Sequence, residues 1–265
     1  MHARDDAWVA GKAYEPYIGR WSRLVASAFV EWLAAPAGAR WIDVGCGTGA
    51  LTATVLATAA PNRIWSADRS PAYTAFARDD VSDARAAFAV ADAQQLPFDT
   101  ASADFVVSAL MLNFVPEPEL AMAEMARVAR RGATVATYVW DYAGEMQLIR
   151  YFWNAAVALD PRADTWDEAL RFPLCQPRRL ETLFDSAGLQ GLESRAIDVP
   201  THFRDFSDFW TPFLGGQGPA PGYLMSLDES QRVRLREHLR AQLPTSADGS
   251  IELVARAWAI RGRRA

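Results

Sequence analysis

The segment Trp41-Ile-Asp-Val-Gly-Cys-Gly-Thr-Gly-Ala-Leu-Thr52 sets three glycines within five residues, between a β-branched apolar run and a helix-like pattern. A turn so poor in side chains lets backbone amides and a helix N-terminus meet a ligand without Cβ atoms in the way. On an open α/β sheet such a turn lies at the carboxyl ends of the strands, where ligands bind. Asp68 ends the next strand-like run, 19 residues after Gly49. A carboxylate there can accept hydrogen bonds from both hydroxyls of a ribose, which points to an adenosine derivative.

Outward from this turn, apolar runs alternate with helical patterns. Strands are expected at Arg40 to Val44, Arg63 to Ala67, Ala87 to Ala91, Asp104 to Leu110 and Thr134 to Trp140. Helices are expected at Ala50 to Thr58, Pro71 to Arg78 and Glu117 to Ala129, with Gly132 as a stop. Such alternation implies a parallel sheet with helical crossovers. Before it, Pro16 opens a helix whose Ile18, Trp21, Val25, Phe29 and Trp32 share one face. After it come helices at Glu145 to Leu159 and Pro177 to Ala187, then a strand from Leu192 to Val199. An aromatic-rich insertion occupies residues 200 to about 248, with Phe206, Phe209, Trp210 and Phe213 on one helical face and a Gly/Pro loop from Gly215 to Gly222. Ile251 to Ile260 reads as a final strand.

Composition excludes several classes. The chain has 265 residues, is about half apolar and carries a net charge of −5, with Lys12 its single lysine. A lone lysine argues against Schiff-base chemistry, and Gly11-Lys12-Ala13 lacks the features of a phosphate-binding P-loop. The scattered arginines and net acidity give no nucleic-acid surface. Cys46 and Cys175, without Cys/His spacing, indicate neither a disulfide framework nor a metal site. No signal-peptide core or apolar stretch of about 18 residues is seen, so a soluble cytoplasmic protein without membrane contact is expected. One folding domain is expected, made of an entry segment (1–39), a binding core (40–140), the second half of the sheet (141–199), the insertion (200–248) and a last strand with its tail (249–265).

The spacing Gly45-x-Gly47-x-Gly49, preceded by Asp43, is not the GxGxxG of dinucleotide sites, and Asp92 follows the third strand in "VADAQQLPFD". Together with "WSADRS" and "ADFVVSALMLNFVPEPELAMAEMARV", this set resembles the class I S-adenosylmethionine (SAM) dependent methyltransferases of methyltransferase-domain type 11, related to ubiquinone and menaquinone biosynthesis enzymes. The resemblance covers roughly Arg40 to Trp140. It implies an α/β doubly wound sheet of seven strands, order 3-2-1-4-5-7-6, with strand 7 antiparallel and helical cap insertions. It also implies that Gly45 and Gly47 meet the methionine portion of SAM and that Asp68 holds the ribose, with Arg69 or Ser70 beside the adenine. Asp92 and Ala93 would bind the adenine edge, and Ala109 or Leu110 would offer a carbonyl to the ammonium. Tyr14, Arg20 and Trp21 would close over the carboxylate.

Methyl transfer is an in-line displacement that needs no metal, and a base only if the acceptor arrives protonated. His202, Asn113, Asp141 and Tyr142 are the candidates for that role, and the sequence does not rank them. The aromatic insertion suggests a small, partly apolar acceptor, although such rings also pack a lid's own core. The competing readings are an NAD-dependent oxidoreductase, which the glycine spacing opposes, and a noncatalytic SAM-binding regulatory protein. Whether O, N or C is methylated, and the oligomeric state, are not written in the residues.

Overall fold

The computed structural model describes residues 15–215 and 218–265. A π-helical turn, Glu15–Gly19, leads without a break into α1 (Arg20–Leu33), so the entry helix opens at Pro16 as expected, with a π-helical first turn. Then follow β1 (Arg40–Val44), α2 (Ala50–Thr58), β2 (Arg63–Asp68), α3 (Pro71–Asp80), β3 (Ala86–Val90), β4 (Ala103–Ala109), α4 (Pro118–Val128) and β5 (Ala129–Trp140). The second half brings α5 (Gln147–Leu159), α6 (Glu168–Arg171), α7 (Pro177–Ser186), β6 (Leu189–Phe203), α8 (Phe206–Trp210), α9 (Pro219–Ser226), α10 (Glu229–Gln242) and β7 (Ile251–Arg264).

The sheet order is β3-β2-β1-β4-β5-β7-β6, as the resemblance implies. β1 to β5 pair in parallel, and β7 runs antiparallel to β5 from Thr134↔Arg263 to Trp140↔Ala257. β1 lies between β2 and β4 and is buried on both faces, which is why Trp41, Ile42 and Val44 read as a continuous apolar run. β5 starts five residues earlier than its apolar run because it carries a bulge. Ala103 pairs with Ala129 and Phe105 with Thr134, so Asp104 of β4 stands opposite residues 130–133 of β5.

The chain forms two compact units. The sheet unit holds residues 22–140, 174–197 and 257–265. In it, α1 buries Val25, Phe29 and Leu33 at helical spacing, and the Phe29 ring meets Tyr138 of β5 edge-on at 4.8 Å. Each such buried side chain contributes about 1.5–3 kcal/mol.

Of the described residues, the second unit holds 15–21, 141–173 and 198–256 apart from 216–217, and so includes the described part of the 200–248 insertion. Its center is a ring cluster in which Phe152 of α5 stacks on Phe213 at 4.7 Å and Trp153 meets Tyr223 at 5.4 Å. The expected aromatic helix is broken: α8 ends at Trp210 and a 3₁₀ segment, Thr211–Gly215, carries Phe213. Pro212 lacks the N–H that would continue the helical ladder. Residues 219–222, expected as loop, form the start of α9, with Pro219 at a position where a proline costs the helix no bond.

Candidate active site

The three glycines after β1 all have left-handed backbones, at φ of +76°, +52° and +87° for Gly45, Gly47 and Gly49. Each is glycine for a different further reason. A Cβ on Gly45 would stand 2.2 Å from Met111 Cγ, so this glycine makes room for a side chain of the protein itself. A Cβ on Gly49 would press at 3.2 Å on Ala77 and Val81, where the turn packs against α3 and its C-terminal cap residue. Gly47 alone has nothing within 4 Å, leaving open space above its backbone beside the N-terminus of α2. The turn is tied to β2 by the amides of Gly45 and Cys46, which both donate to the Ala67 carbonyl. Cys46 is buried in it, and burial pushes its thiol well above the ordinary range.

Beneath the turn in sequence lies a polar cluster that sequence reasoning left without a role. Thr52 donates to Asp43 Oδ2 at 2.7 Å and shares a 2.7 Å hydrogen bond with Ser66. All three side chains are fully buried, and burial pushes the Asp43 carboxyl up to about 7. The network joins β1, α2 and β2, and the acidic residue two before the first glycine was its only signal.

Asp68 is half-buried at the end of β2. Its Oδ2 accepts from the Gly47 amide at 3.0 Å and its Oδ1 from the Ser70 amide at 2.8 Å. A carboxylate offers about four lone-pair sites, so two remain for a ligand. Ser70 caps α3 by accepting from the Tyr73 amide, and Arg69 is exposed. Asp92 is exposed after β3 and folds a local turn, accepting from the Gln94 amide at 2.9 Å and its side chain at 3.1 Å. Ala93 and Ala109 are half-exposed, and Leu110, at φ +56°, is a non-glycine residue in the left-handed region. Asn113 follows in a 3₁₀ turn, its Nδ2 buried without a partner. Because β1 to β4 are adjacent and parallel, the glycine turn, Asp68, Asp92 and Ala109 share one sheet edge.

The second unit carries the other candidates. Arg20 donates through Nη1 to Asp208 at 3.3 Å and lies over the rings of Trp21 and Phe203. Its Nε and Nη2, the Trp21 Nε1 and the Tyr17 hydroxyl are all buried with no partner among the described residues, a concentration of donors within five residues. Unpartnered buried donors are rare and call for an acceptor. Asp141 is buried and receives the Glu145 amide at 3.0 Å, while Tyr142 is buried with its carbonyl accepting from Arg150. His202 is exposed, its Nδ1 paired with Glu252. Glu168 is buried, accepts from Trp153 Nε1 and is pushed up to about 8 by burial. Tyr14 lies outside the described residues.

A mixed seven-stranded sheet with one antiparallel strand, a glycine turn after β1 and a carboxylate closing β2 define the class I methyltransferase architecture. Comparison with known proteins agrees. The profile of the family described as "Methyltransferase domain" matches residues 42–137. A demethylmenaquinone methyltransferase of Roseiflexus castenholzii is 32% identical over 188 residues, covering 65% of this chain and 77% of that protein. The malonyl-[acyl-carrier protein] O-methyltransferase of Hahella chejuensis is 36% identical over 91 residues, 34% of this chain, and the match spans only a third of that enzyme. Among solved structures, the phosphoethanolamine N-methyltransferase 2 of Haemonchus contortus in complex with SAM superposes with a TM-score of 0.58 at 16% identity, covering 96% of this chain and 56% of that one. The chain belongs to the methyltransferase-domain family of SAM-dependent methyltransferases.

The residues present fit that donor. Gly47 leaves its backbone open, and Asp68 keeps two acceptor sites for ribose hydroxyls. Among the described residues no cluster of His, Cys, Asp and Glu is arranged to hold a metal, and no helix is long and apolar enough to cross a membrane.

Proposed function

We propose that this protein transfers a methyl group from SAM to a small, partly apolar acceptor by in-line displacement. The observation that carries the reading is the open, left-handed Gly47 whose amide is held by Asp68, since it prepares both backbone and carboxylate for one nucleoside. The names of relatives add the acceptor class: two Roseiflexus enzymes and two plant enzymes act on quinone or hydroquinone rings by name. Bound at this edge, SAM would supply an electrophilic methyl group on a sulfonium. Asp68 holds the ribose, Gly47 admits the methionine backbone, Asp92 and Ala93 flank the adenine with Arg69 and Ser70, and the Ala109 carbonyl receives the ammonium. The protein's work is then to fix geometry and exclude water.

A base is needed only for a protonated acceptor. Asn113, Asp141 and Tyr142 lie in or directly after the ends of β4 and β5 and remain candidates. His202 has less to support it, since its ring is exposed and engaged by Glu252.

Calorimetry with SAM and NAD, followed by transfer of labelled methyl to a demethylated quinone and to unrelated phenols and amines, tests the proposal. SAM binding near one equivalent, no NAD binding and label on the quinone are expected. NAD binding would revive the oxidoreductase reading. SAM binding without transfer to any acceptor would favour a regulatory protein.

A further inference from the structure

The sheet unit has a second concave site at the other end of β1, where β1, β4 and β5 begin: a cavity of about 400 Å³. That size suits a small metabolite. We propose that it binds a small molecule carrying a phosphate or pyrophosphate group, separately from the donor site.

The cavity arises from the β5 bulge. Residues 130–133 stand opposite Asp104 alone, so β5 parts from its neighbor and Arg130 and Gly132 enter the lining. Bulges re-aim side chains where a sheet serves a site. Five charged residues line the space: Arg130, Arg261 and Arg263 against Asp104 and Glu193. Asp104 is shared, accepting from Arg130 and from both backbone and side chain of Arg40. The lining thus sets three guanidinium groups against two carboxylates, a local excess of +1 in a chain of net charge −5. Arg261 is engaged elsewhere, donating to Glu193 and to the Trp32 carbonyl at 2.8 Å each and lying over the Trp32 ring. Arg263, across from Thr134 in the β5–β7 ladder, is exposed and has no partner among the described residues.

The cavity also presents open backbone. Gly38, Gly132 and Gly191 line it at φ of +80°, +76° and +61°, and none has an atom within 4 Å of where a Cβ would stand. Left-handed glycines from three separate segments thus expose main chain to the same space as an uncommitted guanidinium. Guanidinium forks bind phosphate oxygens, and the open main chain beside Arg263 comes from β5, β6 and the loop before β1. The argument uses no residue of the donor site.

The test is titration of the whole chain with inorganic pyrophosphate by calorimetry in about 0.15 M salt, where surface charge is largely screened. One site is expected, with binding undisturbed by saturating S-adenosylhomocysteine. Arg263→Ala and, by filling the mouth from an exposed loop, Ala37→Trp should each weaken pyrophosphate binding about fivefold or more. Arg236→Ala, on α10, should leave it unchanged. S-adenosylhomocysteine affinity should stay the same in all three variants, which shows them folded. No pyrophosphate binding by a chain that binds S-adenosylhomocysteine overturns the proposal. So does binding that S-adenosylhomocysteine displaces, or binding that neither cavity variant weakens.

Discussion

The glycine turn of the sheet unit and the ring cluster of the second unit solve opposite problems. In the turn, three left-handed glycines within five residues leave the backbone open at Gly47, and the amides of Gly45 and Cys46 tie it to β2. In the cluster, Phe152, Phe203, Phe209, Phe213 and Tyr223 come from distant parts of the chain and leave no space between them. A substitution in the turn should therefore be felt by a ligand, and one in the cluster by the fold.

The largest effect is expected for Phe209→Ala. Phe209 is fully buried against Phe203, Phe206 and Phe213, so truncation should lower unfolding free energy by about 3–5 kcal/mol in urea denaturation. SAM affinity of the folded fraction should hold within about twofold, because cofactor residues in this fold class lie on strands one to four. Normal stability with poor turnover would instead make Phe209 a ligand contact and blur the contrast.

Glu168 sharpens it with pH. Burial raises its carboxyl from 4.5 to about 8, so the folded state holds the proton more tightly than the unfolded chain. Its stabilization is full below about pH 4.5 and is lost as pH rises to about 8. Glu168→Gln keeps an acceptor for Trp153 and removes the titration. Between pH 5 and pH 8 the wild type should lose roughly 3 kcal/mol more than this variant. Equal slopes would mean that Glu168 is ionized in the fold.

Asp68→Ala acts on the other side of the comparison. Removing the acceptor of the Gly47 amide and of two ribose hydroxyls should weaken SAM binding by about 1.5–3 kcal/mol, or about 10- to 150-fold. An unchanged dissociation constant in a folded variant would take Asp68 out of the site. His202→Ala should do least. Its exposed pair with Glu252 is worth about 1 kcal/mol at most, and methyl transfer should continue at the wild-type rate. A large loss of turnover at constant stability would restore His202 as a base.

These differences follow what the sequence could display. The strands of the first half and the glycine–Asp68 turn were legible because period, spacing and residue type are local properties, whereas the strand order followed only from the resemblance of the motifs to a known family. The reason for Gly45 was not, since Met111 lies 66 residues away and nothing near Gly45 announces it. The same holds for Arg20, whose carboxylate partner is Asp208. The aromatic face was misread as one helix because the ring spacing was weighed and Pro212 within it was not. The β5 bulge was hidden too: Ala-Arg-Arg-Gly looks like a helix end with a glycine stop, and only pairing to β4 reveals it as strand.

Cys46 turns this architecture into a clock. Its thiol is 7% exposed and its pKa is raised by burial and then by the charges of Asp43 and Asp68, so it meets an alkylating reagent only when the turn opens. In a Cys175→Ala background, the rate of alkylation would time that opening directly. A ligand that settles on Gly47 would slow it without touching the sulfur, reporting occupancy of the site through a residue that takes no part in binding.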